Sequence, residues 1–268
     1  MKIIKPFVSE GRVDYPREFI GGAATFMTMA YIIFVNPAIL SAAGMDFKAV
    51  TAATCLASAF ATVLMAFLAK YPIALAPGMG LNAFFAFNIC IGMNVPWQVA
   101  LGMVFIEGVV FTLLTFFRIR EMIIDAVPAS LKLATAAGIG LFIAFIGLKD
   151  AGIVVADKNT FVALGKLGEP AVILALCGLL ITSALMALNV RGAILIGILL
   201  TGAGAVLTGM VHPGEIAAMP DMSATFLQLD IAGALKIEYL APIFVLFFFD
   251  LFDTVGTLIG VAEQGGFI

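Results

Sequence analysis

The chain alternates long apolar runs with polar connections over most of its length. A run of about 20 apolar residues is the length that an α-helix needs to cross the hydrocarbon core of a bilayer. We interpret eight runs as membrane spans, with bounds 18–41, 48–69, 72–92, 97–117, 127–147, 170–189, 191–211 and 239–260. The pattern therefore predicts an all-α polytopic membrane protein.

The third run, YPIALAPGMGLNAFFAFNIC, is not a continuous helix pattern. Two prolines and two glycines in its first half predict an extended segment over 73–76 and a half-helix that begins near Gly80. Transporters use such broken helices to build binding sites. Asn82 lies in the first turn of the half-helix and carries both a donor and an acceptor. It either contributes to a site or bonds a neighbouring span across a kinked helix.

Three acidic residues, Glu107, Asp250 and Asp253, lie well inside apolar runs. Ionisable residues at membrane depth are costly and usually have a functional or a pairing role. Two interpretations of Glu107 are open. It is either a proton-relay or substrate-facing carboxyl, or a structural acid bonded to the backbone of another helix.

The last run contains FFFDLFDTVGTLIG, which places both aspartates on one helix face. Asp250 and Asp253 are three residues apart, and Thr257 lies four beyond Asp253. Such a polar stripe predicts a helix that lines a cavity. Because two like charges this close cannot both ionise cheaply, we expect one carboxyl to hold a proton. The alternative is that an acid caps the N-terminus of a neighbouring half-helix.

Composition and charge support a membrane protein with its N-terminus in the cytoplasm. Hydrophobic residues make up 63% of the chain and charged residues 12%, whereas soluble domains average about 25% charged residues. A net charge of −3 argues against a nucleic-acid partner. The segments on the N-terminal side of the membrane hold nine Lys and Arg residues and the opposite loops hold five, which predicts an inside N-terminus. The longer loops 148–169 and 212–238 are then extracytoplasmic.

Two enzyme interpretations of the last run fail on residue type and placement. LFDTVGTL resembles LFDxDGTL, the nucleophile loop of haloacid-dehalogenase-type phosphohydrolases, but Val255 replaces the second aspartate. Intramembrane aspartyl proteolysis needs its two aspartates on different helices. The three cysteines, Cys55, Cys90 and Cys177, have neither metal-site nor disulfide spacing. We therefore expect no catalytic residue, no metal site and no cofactor.

Several long motifs together resemble one transporter family. They are REFIGGAATFMTMAYIIFVNPAIL, APGMGLNAFFAF, IREMIIDAVPASLKLATAAGIGLFIAFIGLKDAGIVV and FFFDLFDTVGTLIG. They are similar to the azaguanine-like (purine/guanine/hypoxanthine permease) branch of the nucleobase:cation symporter-2 family, whose members import purine bases with protons. The resemblance covers essentially the whole chain.

The resemblance implies a fourteen-span fold, a seven-plus-seven inverted repeat divided into a core and a gate domain. It implies the following division: 1–17 cytoplasmic N-terminus, 18–117 core spans one to four, 118–211 gate spans five to seven, 212–238 extracytoplasmic loop and 239–268 core span eight. The remaining spans of the family are absent from the sequence. Among them is the broken tenth span that pairs with the third. We therefore expect the N-terminal portion of a transporter, which does not transport by itself.

The resemblance also implies site residues. Asp253 matches the main substrate acid, Thr257 matches the second histidine of the Glu-His-Ile-Gly-His pattern of the uracil/xanthine branch, and Asn82 matches the asparagine of the third span. A purine base also needs N–H donors for its carbonyl, which the half-helix start at Gly80 would offer, and an apolar stacking face, which Phe84, Phe85 or a neighbouring phenylalanine would supply. The proton-coupling candidates are Asp250, Asp253 and Glu107.

The leading hypothesis is a secondary active transporter that imports adenine, guanine or hypoxanthine by proton symport across the cell membrane. Its partners would be a purine base, a proton and the lipid bilayer; homodimerisation is left open, and no nucleic-acid partner is expected. One alternative is an anion channel or exchanger of the same architecture, although two aspartates in the eighth span would repel an anion. Another is a truncated fragment that transports nothing.

Overall fold

The computed structural model describes residues 15–117, 128–211 and 221–266. Most of these residues are helical. The α-helices are α1 (Tyr15–Met29), α2 (Ile32–Ser41), α3 (Phe47–Leu64), α4 (Met79–Ala83), α5 (Trp97–Phe116), α6 (Ala129–Asp150), α7 (Pro170–Ala187), α8 (Ala193–Leu207), α9 (Ile231–Ala234) and α10 (Leu240–Gln264). Parts of four predicted regions lie outside the described residues: 1–14 of the cytoplasmic N-terminus, 118–127 of the gate spans, 212–220 of the extracytoplasmic loop and 267–268 of the last core segment.

Five helical segments of the described residues are long and apolar enough to cross a membrane. They are Glu18–Ser41, Phe47–Ala69, Trp97–Phe116, Pro170–Ala187 and Ile237–Ala262. Two shorter apolar helices, Met79–Gly92 and Ala193–Leu207, coincide with the third and seventh predicted runs. A helix suits this environment because it satisfies its own backbone hydrogen bonds in lipid. The structure thus agrees with a mostly helical polytopic membrane protein.

The predicted break in the third run is present. Residues 70–78 have no regular secondary structure, and α4 begins at Met79, one residue before the predicted Gly80. The hydroxyl of Thr62 on α3 accepts a hydrogen bond from the Leu75 N–H at 3.0 Å and donates to the Leu75 carbonyl at 3.3 Å. The irregular backbone therefore finds a protein partner, as non-helical backbone at membrane depth requires.

Helical hydrogen bonding continues beyond α3 and α4 in wider turns. Met65–Ala69 extends α3 and Phe84–Gly92 extends α4, both with π-helical geometry. The third span is therefore one continuous helical segment from Met79 to Gly92, preceded by the irregular stretch. Short π-helical insertions are frequent at functional sites.

The described chain divides into two compact units. Unit 1 contains residues 35–117, 128–141 and 221–266, and every predicted site residue lies in it. Within unit 1, α5 packs against both α9 and α10. A Cβ at Gly102 of α5 would overlap the Asp230 carbonyl, and the Asp230 N–H donates to the Gln98 carbonyl at 2.9 Å. The absence of a side chain at Gly102 thus lets α9 dock on α5.

Unit 2 contains residues 15–34 and 142–211. Helices α7 and α8 pack closely against each other in this unit. Between α6 and α7, strands β1 (Val154–Asp157) and β2 (Phe161–Leu164) form an antiparallel hairpin with Asp157 opposite Phe161. This hairpin falls inside the predicted extracytoplasmic loop 148–169.

Candidate binding site at the broken third span

The side chain of Asp253 lies against the backbone at the start of the half-helix. Gly78 precedes α4 in an extended conformation (φ −72°, ψ 112°) and occupies its N-cap position. A Cβ added at Gly78 would lie 2.6 Å from Asp253 Oδ2 and 3.8 Å from Asp253 Cγ. The carboxylate therefore reaches the end of the helix where free N–H groups and the helix dipole favour negative charge. The binding role and the capping alternative both remain predictions that fit this placement.

Asn82 is bonded to a side chain of another helix. Its amide Nδ2 donates to Asn36 Oδ1 on α2. Asn36 Nδ2 in turn donates to Thr54 Oγ1 on α3 at 2.8 Å. The sequence left open whether Asn82 bonds a neighbouring span, and this bond to Asn36 is present. The third span that carries Asn82 is broken and not merely kinked.

Asn36 and Thr54 were not among the predicted site residues. Each of the two residues is only 3% exposed. The available signal was an asparagine inside an apolar run, directly before Pro37, because a polar amide in such a run needs a partner.

Gly80 and Phe84 lie in the same helical segment as Asn82. Gly80 is buried in the first turn. The ring of Phe84 meets the ring of Phe249 on α10 edge to face, with centroids 5.2 Å apart and an interplanar angle of 69°. The half-helix and the helix that carries the two aspartates are therefore joined by an aromatic contact beside the acids.

The two threonines of the α10 stripe bond differently. Thr254 Oγ1 donates to the Asp250 carboxylate at 3.0 Å. Thr257 Oγ1 donates instead to the backbone carbonyl of Asp253 at 2.6 Å and is exposed. The hydroxyl of Thr257 therefore contacts its own helix, while Thr254, which the predicted set omitted, contacts an acid.

Glu107 is buried on α5 and lies within electrostatic range of Asp250 on α10. The residue is 6% exposed, and its Oε1 has no hydrogen-bond partner among the described residues. Asp250 interacts electrostatically with Glu107 and also with Asp253. Asp250 thus couples the other two carboxyls, and the three acids form one electrostatic group. Within the described residues, no three His, Cys, Asp or Glu side chains are placed to hold a metal ion.

Residues 16–266 match the Permease family. The chain belongs to this family. The match confirms the resemblance drawn from the motifs, and because the family consists of permeases, it also confirms the expectation that the chain is a transporter and not an enzyme.

Named relatives of the permease chain come from bacteria and an archaeon. A permease of Methanocaldococcus jannaschii is 55% identical over 253 residues, which are 94% of this chain and 58% of the relative. The adenine permease AdeP of Escherichia coli is 43% identical over 93% of this chain and 56% of its own length. The guanine/hypoxanthine permease PbuG of Bacillus subtilis is 44% identical over 94% of this chain and 60% of its own length. The chain thus spans somewhat over half the length of these relatives.

Proposed function

We propose that the chain forms a purine-base binding site of a nucleobase importer. The observation that carries the proposal is the contact of the Asp253 carboxylate with Gly78 at the start of the broken third span. A neutral, planar base with donors and acceptors along its edge suits a site that offers a carboxylate beside free helix N–H groups. The names of two relatives, an adenine permease and a guanine/hypoxanthine permease, agree with this class of substrate.

Each predicted site residue has a role in this proposal. Asp253 accepts a hydrogen bond from a ring N–H or amino group, and the first turn around Gly80 donates to a base carbonyl. Asn82 contacts the base edge and Phe84 lies against its face. Thr257 extends the polar stripe along α10. The substrates proposed are adenine, guanine and hypoxanthine.

Proton symport is proposed from the acid group of α5 and α10. Glu107 is buried with an unpartnered oxygen, and Asp250 interacts with both Glu107 and Asp253. Because an isolated buried charge is costly, a proton on one of these carboxyls stabilises the group. Base binding and proton binding at adjoining acids would then be coupled, as symport requires.

The architecture proposed around this site follows the family resemblance. Eight spans of a fourteen-span inverted repeat would be divided into a core, which holds the acids and the half-helix, and a gate. The N-terminus would be cytoplasmic, and homodimerisation remains open. Motion of the core against the gate would give alternating access near the bilayer midplane.

The experiment is uptake of radiolabelled adenine, guanine and hypoxanthine by cells that lack their own base transport. The cells express the complete polypeptide encoded by the gene. We expect saturable purine uptake that falls when the proton gradient is collapsed. Uptake of no purine would contradict the proposed substrate class. Uptake that is indifferent to the gradient would contradict proton symport alone.

A variant series assigns the proton. Glu107→Gln and Asp250→Asn each remove one carboxyl of the acid group with little change in volume. The variant that keeps base affinity but loses the dependence of uptake on the proton gradient identifies the coupling acid. Full gradient dependence in both variants would exclude these two acids as the coupling site.

A further inference from the structure

Asn36 and Thr54 form a buried hydrogen-bonded chain that ends on Asn82. Asn82 donates to Asn36 Oδ1, Asn36 donates to Thr54 Oγ1, and Thr54 Oγ1 donates to the Val50 carbonyl at 2.7 Å. This hydrogen-bonded network connects α2, α3 and the half-helix. Neither Asn36 nor Thr54 has a role in the proposed function.

The donors and acceptors of this hydrogen-bonded network have a fixed order, because the network begins at a backbone carbonyl. The Val50 carbonyl can only accept, so the one hydrogen of the Thr54 hydroxyl points to it. Thr54 Oγ1 can then only accept, and Asn36 must turn its Nδ2 toward Thr54 at 2.8 Å. Asn36 consequently presents Oδ1 to Asn82. Asn82 in turn directs its Nδ2 toward Asn36, so its Oδ1 lies on the side of the amide away from Asn36.

Asn82 and Gly78 are one turn apart on the half-helix, since the Asn82 N–H donates to the Gly78 carbonyl at 3.1 Å. Residues four apart share a helix face. The fixed amide of Asn82 therefore belongs to the same face as the contact between Gly78 and Asp253.

We infer that Thr54 and Asn36 are positioning residues that orient Asn82 to present a hydrogen-bond acceptor to the bound base. The inference rests on the proposed function. With the acceptor oxygens of Asp253, it makes the site selective for base edges that carry N–H or amino donors. A site built to hydrogen-bond a given edge discriminates strongly against an edge with the opposite pattern.

The matched variants are substitutions at Thr54. Thr54→Val keeps the shape of the side chain and removes the hydroxyl, so Asn36 and Asn82 lose their fixed direction and Asn82 can present either end of its amide. Thr54→Ser keeps the hydroxyl and serves as the control. Thr54→Ala removes the hydroxyl in a smaller side chain and replaces the valine variant if that variant does not reach the membrane.

The measurement is the ratio of the inhibition constants of adenine and hypoxanthine against labelled purine uptake. Adenine has an acceptor at N1 and a donor amino group at C6, whereas hypoxanthine has an N–H donor at N1 and a carbonyl acceptor at C6. We expect Thr54→Val and Thr54→Ala to change the ratio by about tenfold, the scale of one hydrogen bond gained or lost. Thr54→Ser should stay within about twofold of the wild-type ratio.

The outcomes separate the inference from the proposed function. A purely structural role of Thr54 would change the amount of protein or both inhibition constants together. An unchanged ratio in a transporting hydroxyl-free variant would therefore overturn the inference alone. Absence of purine uptake in the wild-type protein would overturn the proposed function, and the inference with it.

Discussion

At the scale of single residues, the contact of Asp253 with Gly78 defines the candidate site. The sequence predicted the acid and the half-helix separately, from a polar stripe in one run and a proline–glycine cluster in another. It could not predict that they touch, because Gly78 and Asp253 are about 175 residues apart in the chain and only tertiary packing decides which helices become neighbours. Asn36 and Thr54 were missed for the same reason, since their role depends on a partner from another span.

Alanine at Gly78 tests this contact. The φ of −72° permits any residue there, but the added Cβ would lie 2.6 Å from Asp253 Oδ2 and displace the carboxylate. We expect Gly78→Ala to lower base affinity about tenfold or more, measured by titration of the purified protein. Gly108→Ala is the control because, apart from the backbone of its own helix, no described atom would lie within 4 Å of its Cβ. Equal affinity in both variants would contradict the contact.

At the scale of elements, local sequence determined where the third span breaks, because two prolines cannot donate backbone hydrogen bonds and glycine adapts to the turn. The hairpin between α6 and α7 was predicted only as a long loop. Its signal is nevertheless in the sequence: VVADKNTFVAL has two β-favouring runs around a polar turn. The close packing of α7 on α8 had no clear periodic signal, because both helices are apolar around most of their circumference and hold only a few hydroxyl side chains.

Reciprocal glycine–threonine contacts join α7 and α8. A Cβ at Gly197 would overlap the Thr182 hydroxyl, and a Cβ at Gly178 would overlap that of Thr201. We expect Gly197→Ala to destabilise the protein by about 1–3 kcal/mol through overpacking, seen as a lower unfolding temperature in detergent. Gly202→Ala should unfold like the wild type, because apart from the backbone of its own helix no described atom would lie within 4 Å of the Cβ. A wild-type unfolding temperature for Gly197→Ala would argue against this packing.

The hairpin turn should depend on pH through Asp157. Backbone N–H groups of Thr160 and Asn159 donate to its carboxylate, at 2.9 and 2.8 Å, and hold the pKa of Asp157 below its ordinary value. A lowered pKa stabilises the fold above the ordinary aspartate pKa, and this contribution is lost as pH falls through the lowered value. We therefore expect the amides of Asn159 and Thr160 to be protected from hydrogen exchange at neutral pH and to lose protection in acid.

Two variants distinguish the effect of the Asp157 carboxylate from that of other acidic residues of the loop. Asp157→Ala should remove the protection of both amides at every pH. Glu169→Gln, which removes a carboxylate that makes no capping hydrogen bond, should leave it intact. Protection that persists in Asp157→Ala would show that the carboxylate does not hold the turn.

At the scale of the whole molecule, the recurrence of apolar runs was sufficient to predict a polytopic helical membrane protein, because span length is set by bilayer thickness. Family membership followed from long motifs and is confirmed by the match over residues 16–266. The orientation in the membrane is a prediction from charge alone.

Cysteine labelling tests the orientation. In a protein whose Cys55, Cys90 and Cys177 are replaced, Lys158→Cys in the hairpin should react with a membrane-impermeant maleimide in intact cells. Arg191→Cys between α7 and α8 should react only after the cells are opened, because an inside N-terminus places this connection in the cytoplasm. The reverse pattern would invert the proposed topology.

The most direct test of the central claim is titration of the complete, purified permease with hypoxanthine, guanine and adenine. The proteins compared are the wild type, Asp253→Asn and the loop control Glu169→Gln. We predict that Asp253→Asn loses at least about 100-fold in affinity for the preferred base. The substitution replaces a charged acceptor by a neutral amide, which loses the charge-assisted hydrogen bond and adds an N–H donor opposite the donors of the base. Glu169→Gln should bind like the wild type. Unchanged affinity in a folded Asp253→Asn protein would contradict the assignment of the site.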